Sequence, residues 1–171
     1  MKKRIRQFCR AVFARELSDE ERAFAAEYLT EVETVFFFSM DCIDQKHALA
    51  VAKTILEKAS QYNAQDIVFL CRLALLHDIG RRKGDLGIWG KVLAVLLDAV
   101  CPRWAKKQAE KNASWMQHAL YVYYRHPEIA ARMLRGIGCE EEAAIIARHH
   151  APETPQDSLE LRLLRMADEA N

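Results

Sequence analysis

Histidines and aspartates stand at helix positions that ought to be hydrophobic. His47 shares a helical face with Ile43, Ala50 and Val51. His77 sits above Leu70, Leu73 and Ala74, and Asp78 above Cys71, Ala74 and Leu75. His149 follows Ile145 and Ile146, and Asp168 continues the stripe of Leu161 and Leu164. A buried carboxylate without a partner is costly, so Asp78 and Asp168 each require a cation or several donors. Any one of these residues has an ordinary explanation, as a satisfied core histidine, a cap or an ion-pair partner. Together they point to one shared cause. Neutral imidazole and carboxylate are ligands for Fe, Mn, Zn and similar ions, and a metal compensates both aspartates. The adjacency of His77 and Asp78 adds a condition. Neighbours on a helix diverge by about 100°, so both reach one centre only at a helix end or irregularity. Gly80, read as a left-handed helix terminus, supplies one.

The rest of the chain is that of a helical globular domain. It has 171 residues, 51% hydrophobic and 29% charged, with only six Gly and four Pro. An all-β fold is excluded on that basis, as is disorder. Lys and Arg number 25 against 24 Asp and Glu. This near-neutrality argues against a stable nucleic-acid complex. The five cysteines are scattered and form no C-x-x-C pair. They predict a reducing, cytoplasmic compartment and no zinc ribbon. No apolar run approaches a membrane span. Residues 1–15 carry a short apolar stripe with a basic opposite side. They read first as a helix docked on its own core, with weak contact to a membrane surface as the alternative.

Capping boxes at Ser18–Glu21 and Thr30–Glu33 start two helices ending near Tyr28 and Met40. Residues 1–40 are read as a helical extension packed on the core, and 41–171 as the main domain. Asp41 caps a helix to about Tyr62, and Asn63 caps one ending at His77–Gly80. A charged loop at 81–87 leads to a helix over 88–100. Residues 103–124 are helical with a break near Asn112, and Pro127 opens a new helix that closes at Gly136–Gly138. Helices over 140–149 and from a cap at Asp157 complete the chain. Trp89, Trp104 and Trp115 read as packing residues.

The ordered set His47, His77-Asp78-Ile79-Gly80 and Asp168 resembles the HD-domain superfamily of metal-dependent phosphohydrolases, in its HDIG form. The contexts D-Q-K-H-A-L-A-V-A and L-L-R-M-A-D also fit, and the likeness spans roughly 41–171. It implies an all-α, HD-domain-like helical bundle. His126-Pro127 and His149-His150 resemble segments of HD-GYP phosphodiesterases and of binuclear nucleotide hydrolases. No G-Y-P follows, and Arg81 stands where HD-GYP proteins have Lys. The sequence therefore departs from the cyclic di-GMP pattern.

The resemblance implies two divalent transition-metal ions. Iron or manganese is expected first, with Mg, Co, Ni and Zn as alternatives. His47, His77, Asp78 and Asp168 would hold one, and Asp78, His126, His149 and His150 the other. The implied activity is hydrolysis of a small phosphoester, such as a nucleotide, by a metal-activated hydroxide, with Asp78 and Arg81 as catalytic residues. Arg81, Arg82 and Lys83 are the expected phosphate contacts. His118 is left outside the site. Two other functions stay open: a mixed-valent di-iron oxygenase, and a non-catalytic helical binding or signalling module.

Overall fold

The computed structural model describes residues 16–62 and 66–171. Among them are nine α-helices and no strand: α1 (Asp19–Tyr28), α2 (Glu31–Phe38), α3 (Cys42–Ala59), α4 (Ile67–Leu76), α5 (Gly87–Val100), α6 (Pro102–Ala109), α7 (Trp115–Arg135), α8 (Glu140–Ile146) and α9 (Leu159–Ala170). The all-α expectation holds. No described helix is long and apolar enough to cross a membrane. The amphipathic stretch at 1–15 and the expected cap at Asn63 lie outside the described residues.

Local chemistry explains most of the helix starts. Ser18 and Glu21 close a capping box at α1, as do Thr30 and Glu33 at α2. Asp66 caps α4 by accepting from the Phe69 N–H at 2.8 Å. Ser158, rather than Asp157, caps α9 by accepting from the Leu161 N–H. The Asp157 carboxylate is instead engaged by Arg148, Arg165 and Thr154.

The core forms around α4, whose sequence Ile-Val-Phe-Leu-Cys-Arg-Leu-Ala-Leu-Leu is apolar almost all round. Such a helix must be enclosed. Leu70, Leu73, Ala74, Leu75 and Leu76 are buried against Ala48, Val51, Ala52 and Ile55 of α3 and Leu164 and Ala167 of α9. Ala25 and Phe37, from the helices preceding residue 41, belong to the same apolar cluster. Arg72 is the charged residue of α4, and it bonds Glu33 of α2 and Glu142 of α8 at 2.5 and 2.8 Å. A second, smaller cluster joins Ala94 of α5 and Ala105 and Ala109 of α6 to Leu120 of α7.

Two expectations about punctuation are corrected. Pro127 opens no new helix, because α7 runs unbroken from Trp115 to Arg135 with the proline inside. Its missing N–H leaves the Tyr123 carbonyl, four residues earlier, without its helical donor. The His126 ring takes that place, Nδ1 lying 2.9 Å from Tyr123 O. Gly80 does not have a positive φ. Its requirement is steric, since a Cβ there would lie 2.2 Å from the His126 carbonyl oxygen. The turn after α4 thus rests directly on the α7 backbone. The break near Asn112 does occur, with Asn112 at φ 43° between α6 and α7. The helix expected over 140–149 stops at Ile146, and His149 and His150 occupy the turn beyond it. The tryptophans are not core residues: Trp89 is 73% exposed, Trp115 57% and Trp104 44%.

Candidate metal centre

Five segments converge on one polar cluster inside the bundle. α3 brings His47, and the turn after α4 brings His77 and Asp78. α7 brings His126, the turn after α8 brings His149 and His150, and α9 brings Asp168. His77, Asp78, His126 and His149 are at most 2% exposed, so the centre is desolvated.

Three of the histidines are held the same way. Nδ1 of His77 lies 2.7 Å from Ala74 O, that of His149 2.7 Å from Ile146 O, and that of His126 2.9 Å from Tyr123 O. Each Nδ1–H therefore donates to a carbonyl three residues back. Each ring presents an unprotonated Nε2 to the centre, the tautomer suited to binding a cation. Burial favours the same neutral form. It lowers the pKa of His126 to about 4, with the Arg81 charge adding to the effect. It also lowers those of His149 and His150. His47 goes the other way: burial opposes its charge, but the 2.8 Å bond to Asp168 and the nearby Asp78 raise its pKa.

The carboxylates stay ionised. Burial opposes ionisation of Asp78, yet the Arg81 guanidinium beside it holds its pKa well below the ordinary value. Asp168 is held down by its bond to His47, again against burial. His77 Nε2 lies 3.5 Å from Asp78 Oδ2 and 3.7 Å from Asp168 Oδ1. His126 Nε2 lies 3.2 Å from Asp78 Oδ1. The histidine rings form a chain, with centroids 5.4 Å apart for His47 and His77 and 5.3 Å for His77 and His149. His150 stacks at the rim, 4.0 Å from His149 and 5.0 Å from His126. Its Nδ1 is 4.0 Å from Asp168 Oδ2.

Four buried atoms in this cluster make no hydrogen bond among the described residues: His77 Nε2, Asp78 Oδ1, His149 Nε2 and Arg81 Nε. Buried polar atoms are ordinarily satisfied. Three of the four, on His77, Asp78 and His149, are potential ligand atoms. Three sets place one ligand atom from each member within 4.8 Å of the others: His47, His77 and Asp78; His77, His149 and Asp168; and His126, His149 and His150. The donors are imidazole nitrogen and carboxylate oxygen, a combination that suits a divalent transition metal. A fourth set, Glu33, Cys139 and Glu142, meets the same distance condition. Arg72 already neutralises it, so it is an ion-pair junction.

Arg81 enters the cluster itself. Its guanidinium donates to Asp78 Oδ2 at 2.8 Å and to His126 Nε2 at 2.9 Å. It therefore stands between two residues that the family resemblance assigns to a second ion. Arg82 and Lys83 do not join it. Both are exposed, and their backbones are what hold the loop: Lys83 N–H donates to Ser39 O at 2.7 Å, and Arg82 N–H to Asp85 at 3.0 Å. His118 is also remote from the cluster, bonding Asn112 and Asp85.

Two further groups position the site and were not singled out in the sequence. Asp44, one turn before His47, is 4% exposed, bonds Lys91 at 2.5 Å and lies 3.9 Å from Arg81. Arg165 donates to the carbonyls of Arg148 and His149 at 2.8 and 3.2 Å and also binds Asp157. It clamps the turn that carries both histidines to the helix that carries Asp168. A signal for Arg165 was present, because it falls in the apolar stripe of Leu161 and Asp168. Asp44 resembles any acidic residue in a first helical turn.

Compared with family models, with curated proteins and with solved structures, the chain matches none of them.

Proposed function

We propose that this chain is a metal-dependent phosphohydrolase of the HD-domain type, acting on a small phosphoester such as a nucleotide. The observation that carries the proposal is the set of buried, unbonded ligand atoms on His77, Asp78 and His149. Uncompensated, a cluster of this kind is expensive to bury. A cation would remove that penalty.

His47, His77, Asp78 and Asp168 are the proposed holders of one ion. His126, His149 and His150, with Asp78 between the sets, are those for a second. A bound divalent ion supplies Lewis acidity toward water and phosphoryl oxygen. The chain supplies the rest. Asp78 orients the Arg81 guanidinium, whose forked donors match phosphoryl oxygens better than a lysine ammonium. Arg81 keeps its charge, since Asp78, Asp44 and Asp168 raise its pKa against burial. It binds and does not exchange protons. His150, with a side chain 48% exposed at the rim, would close the second set from its open side.

Metal analysis of the purified chain, paired with a phosphoester and nucleotide screen, tests the proposal. Asp78→Ala should lose bound metal and reduce turnover by more than about a hundredfold, beyond the 10–100-fold typical of outer-shell changes. Full activity in that variant would sink the assignment. Substrate-dependent oxygen uptake by the iron-loaded protein would move it to an oxygenase. Stoichiometric ligand binding without turnover under any metal would move it to a non-catalytic module.

A further inference from the structure

Helix α5, Gly-Ile-Trp-Gly-Lys-Val-Leu-Ala-Val-Leu-Leu-Asp-Ala-Val, is apolar on two opposite sides. Its inner side is accounted for. Ala94 packs with Leu120, and Gly90 faces Ala119 and Trp115. The two charged residues of α5 are tied down as well. Lys91 bonds Asp44, and Asp98 accepts from the Tyr123 and Tyr124 hydroxyls at 3.2 and 2.7 Å. What remains is an outer stripe of exposed Trp89, Leu96 and Val100 with half-buried Val92 and Leu93 between them, spaced as one helical face with no charge on it. Trp89 is 73% exposed, Leu96 56% and Val100 82%. A helix that ends a domain normally turns polar residues outward, and a continuous exposed apolar stripe marks an interaction surface.

The neighbouring helix says what covers it. Ala105 and Ala109 turn α6 inward, onto the same Leu120. Arg103 and Lys107 lie on the opposite side of α6, one turn apart, and Lys111 follows the helix. All three are exposed, and none of their side chains forms an ion pair with a described residue. Between Pro102 and Lys111 the only acidic residue is Glu110. Trp104, 44% exposed, sits among these cations. An apolar helix face followed directly by a helix with an exposed tryptophan and with Arg and Lys that no described residue pairs complements an interface of acyl chains and anionic headgroups. A second copy of the chain fits worse, because a two-fold contact would bring the cations of α6 together.

We propose that the outer face of α5, with the basic edge of α6, docks on an anionic lipid bilayer in the interfacial plane, without spanning it. This inference does not depend on the metal centre. Its test is co-sedimentation of the full chain with large unilamellar vesicles, either pure phosphatidylcholine or phosphatidylcholine mixed with phosphatidylserine. Tryptophan emission is read in parallel, since the chain's three tryptophans are Trp89, Trp104 and Trp115. Binding to the phosphatidylserine vesicles with a blue shift is expected, weakening as salt is raised. Arg103→Ala with Lys107→Ala should reduce that binding by about 25-fold, at about fivefold per cation near an anionic surface. Leu96→Glu with Val100→Glu should abolish it. Both positions are exposed, so folding, checked by circular dichroism, and bound metal should be unchanged. Absence of vesicle binding by the unaltered chain would overturn the proposal. So would undiminished binding by the Leu96→Glu, Val100→Glu chain, which would assign the contact to another face such as residues 1–15. A dimer that this double change converts to monomers, with no vesicle binding, would assign the face to a second copy.

Discussion

Arg81 illustrates how much rests on single side chains. Its guanidinium bonds both Asp78 and His126, so a cation already stands where two ligand groups meet. A second ion and Arg81 therefore compete for the same acceptors. Arg81→Gln removes the charge and one arm of the fork, and should raise the metal bound per chain. The same variant should lose phosphoester turnover by about 10–100-fold, the scale of a lost charge-assisted contact of about 1.5–3 kcal/mol. Elemental analysis and kinetics on one preparation check both halves. Unchanged stoichiometry would mean that Arg81 yields to the ion without competition. The residue was legible in the sequence as a cation following His-Asp-Ile-Gly. Its partners were not, because His126 is 45 residues further along the chain. Arg82 and Lys83 follow it in sequence as weaker candidates, and the direction of the turn leaves both exposed outside the cluster.

At the scale of the element, α7 shows a local rule giving way to a larger requirement. Proline in a helix interior removes a hydrogen bond and costs about 3 kcal/mol. Pro127 is nevertheless within a continuous helix. The carbonyl it orphans is the one that fixes the His126 tautomer. Pro127→Ala restores a backbone donor to Tyr123 O, in competition with His126 Nδ1. The variant should melt at a higher temperature than the parent yet bind metal several-fold more weakly, with the two His126 nitrogens no longer distinct by NMR. A higher melting temperature with unchanged metal affinity would separate the proline from the site. The starts of α1 and α2 were readable, because a capping box is a four-residue event. The Gly80 contact was misread for the converse reason, since it is explained by the backbone of another element. The interior proline was misread because a side chain of its own helix, His126, replaces the missing donor.

At the scale of the whole molecule, the histidine turn and the last helix are joined by a buried charge network. Asp157 accepts from the Thr154 side chain and backbone, and also from Arg165 and Arg148, which together hold its pKa below the ordinary 3.8. A carboxylate depressed in the folded state stabilises it above its unfolded pKa. That contribution is lost as pH falls through the folded value. Asp157→Asn should be less stable than the parent at neutral pH, and the gap should narrow as acid is added below about pH 4. Urea unfolding across this range checks it, and parallel curves would remove Asp157 from the acid response. The primary structure was sufficient to specify helices, caps, an apolar central helix and a set of polar residues in need of a common partner. These follow from spacing along the chain and from the cost of burying charge. Folding alone brought Arg81 between Asp78 and His126, set Arg165 across the histidine turn, and left Trp89, Leu96 and Val100 of α5 exposed among the described residues. Such outcomes depend on which distant surfaces meet, and helical periodicity carries no record of that.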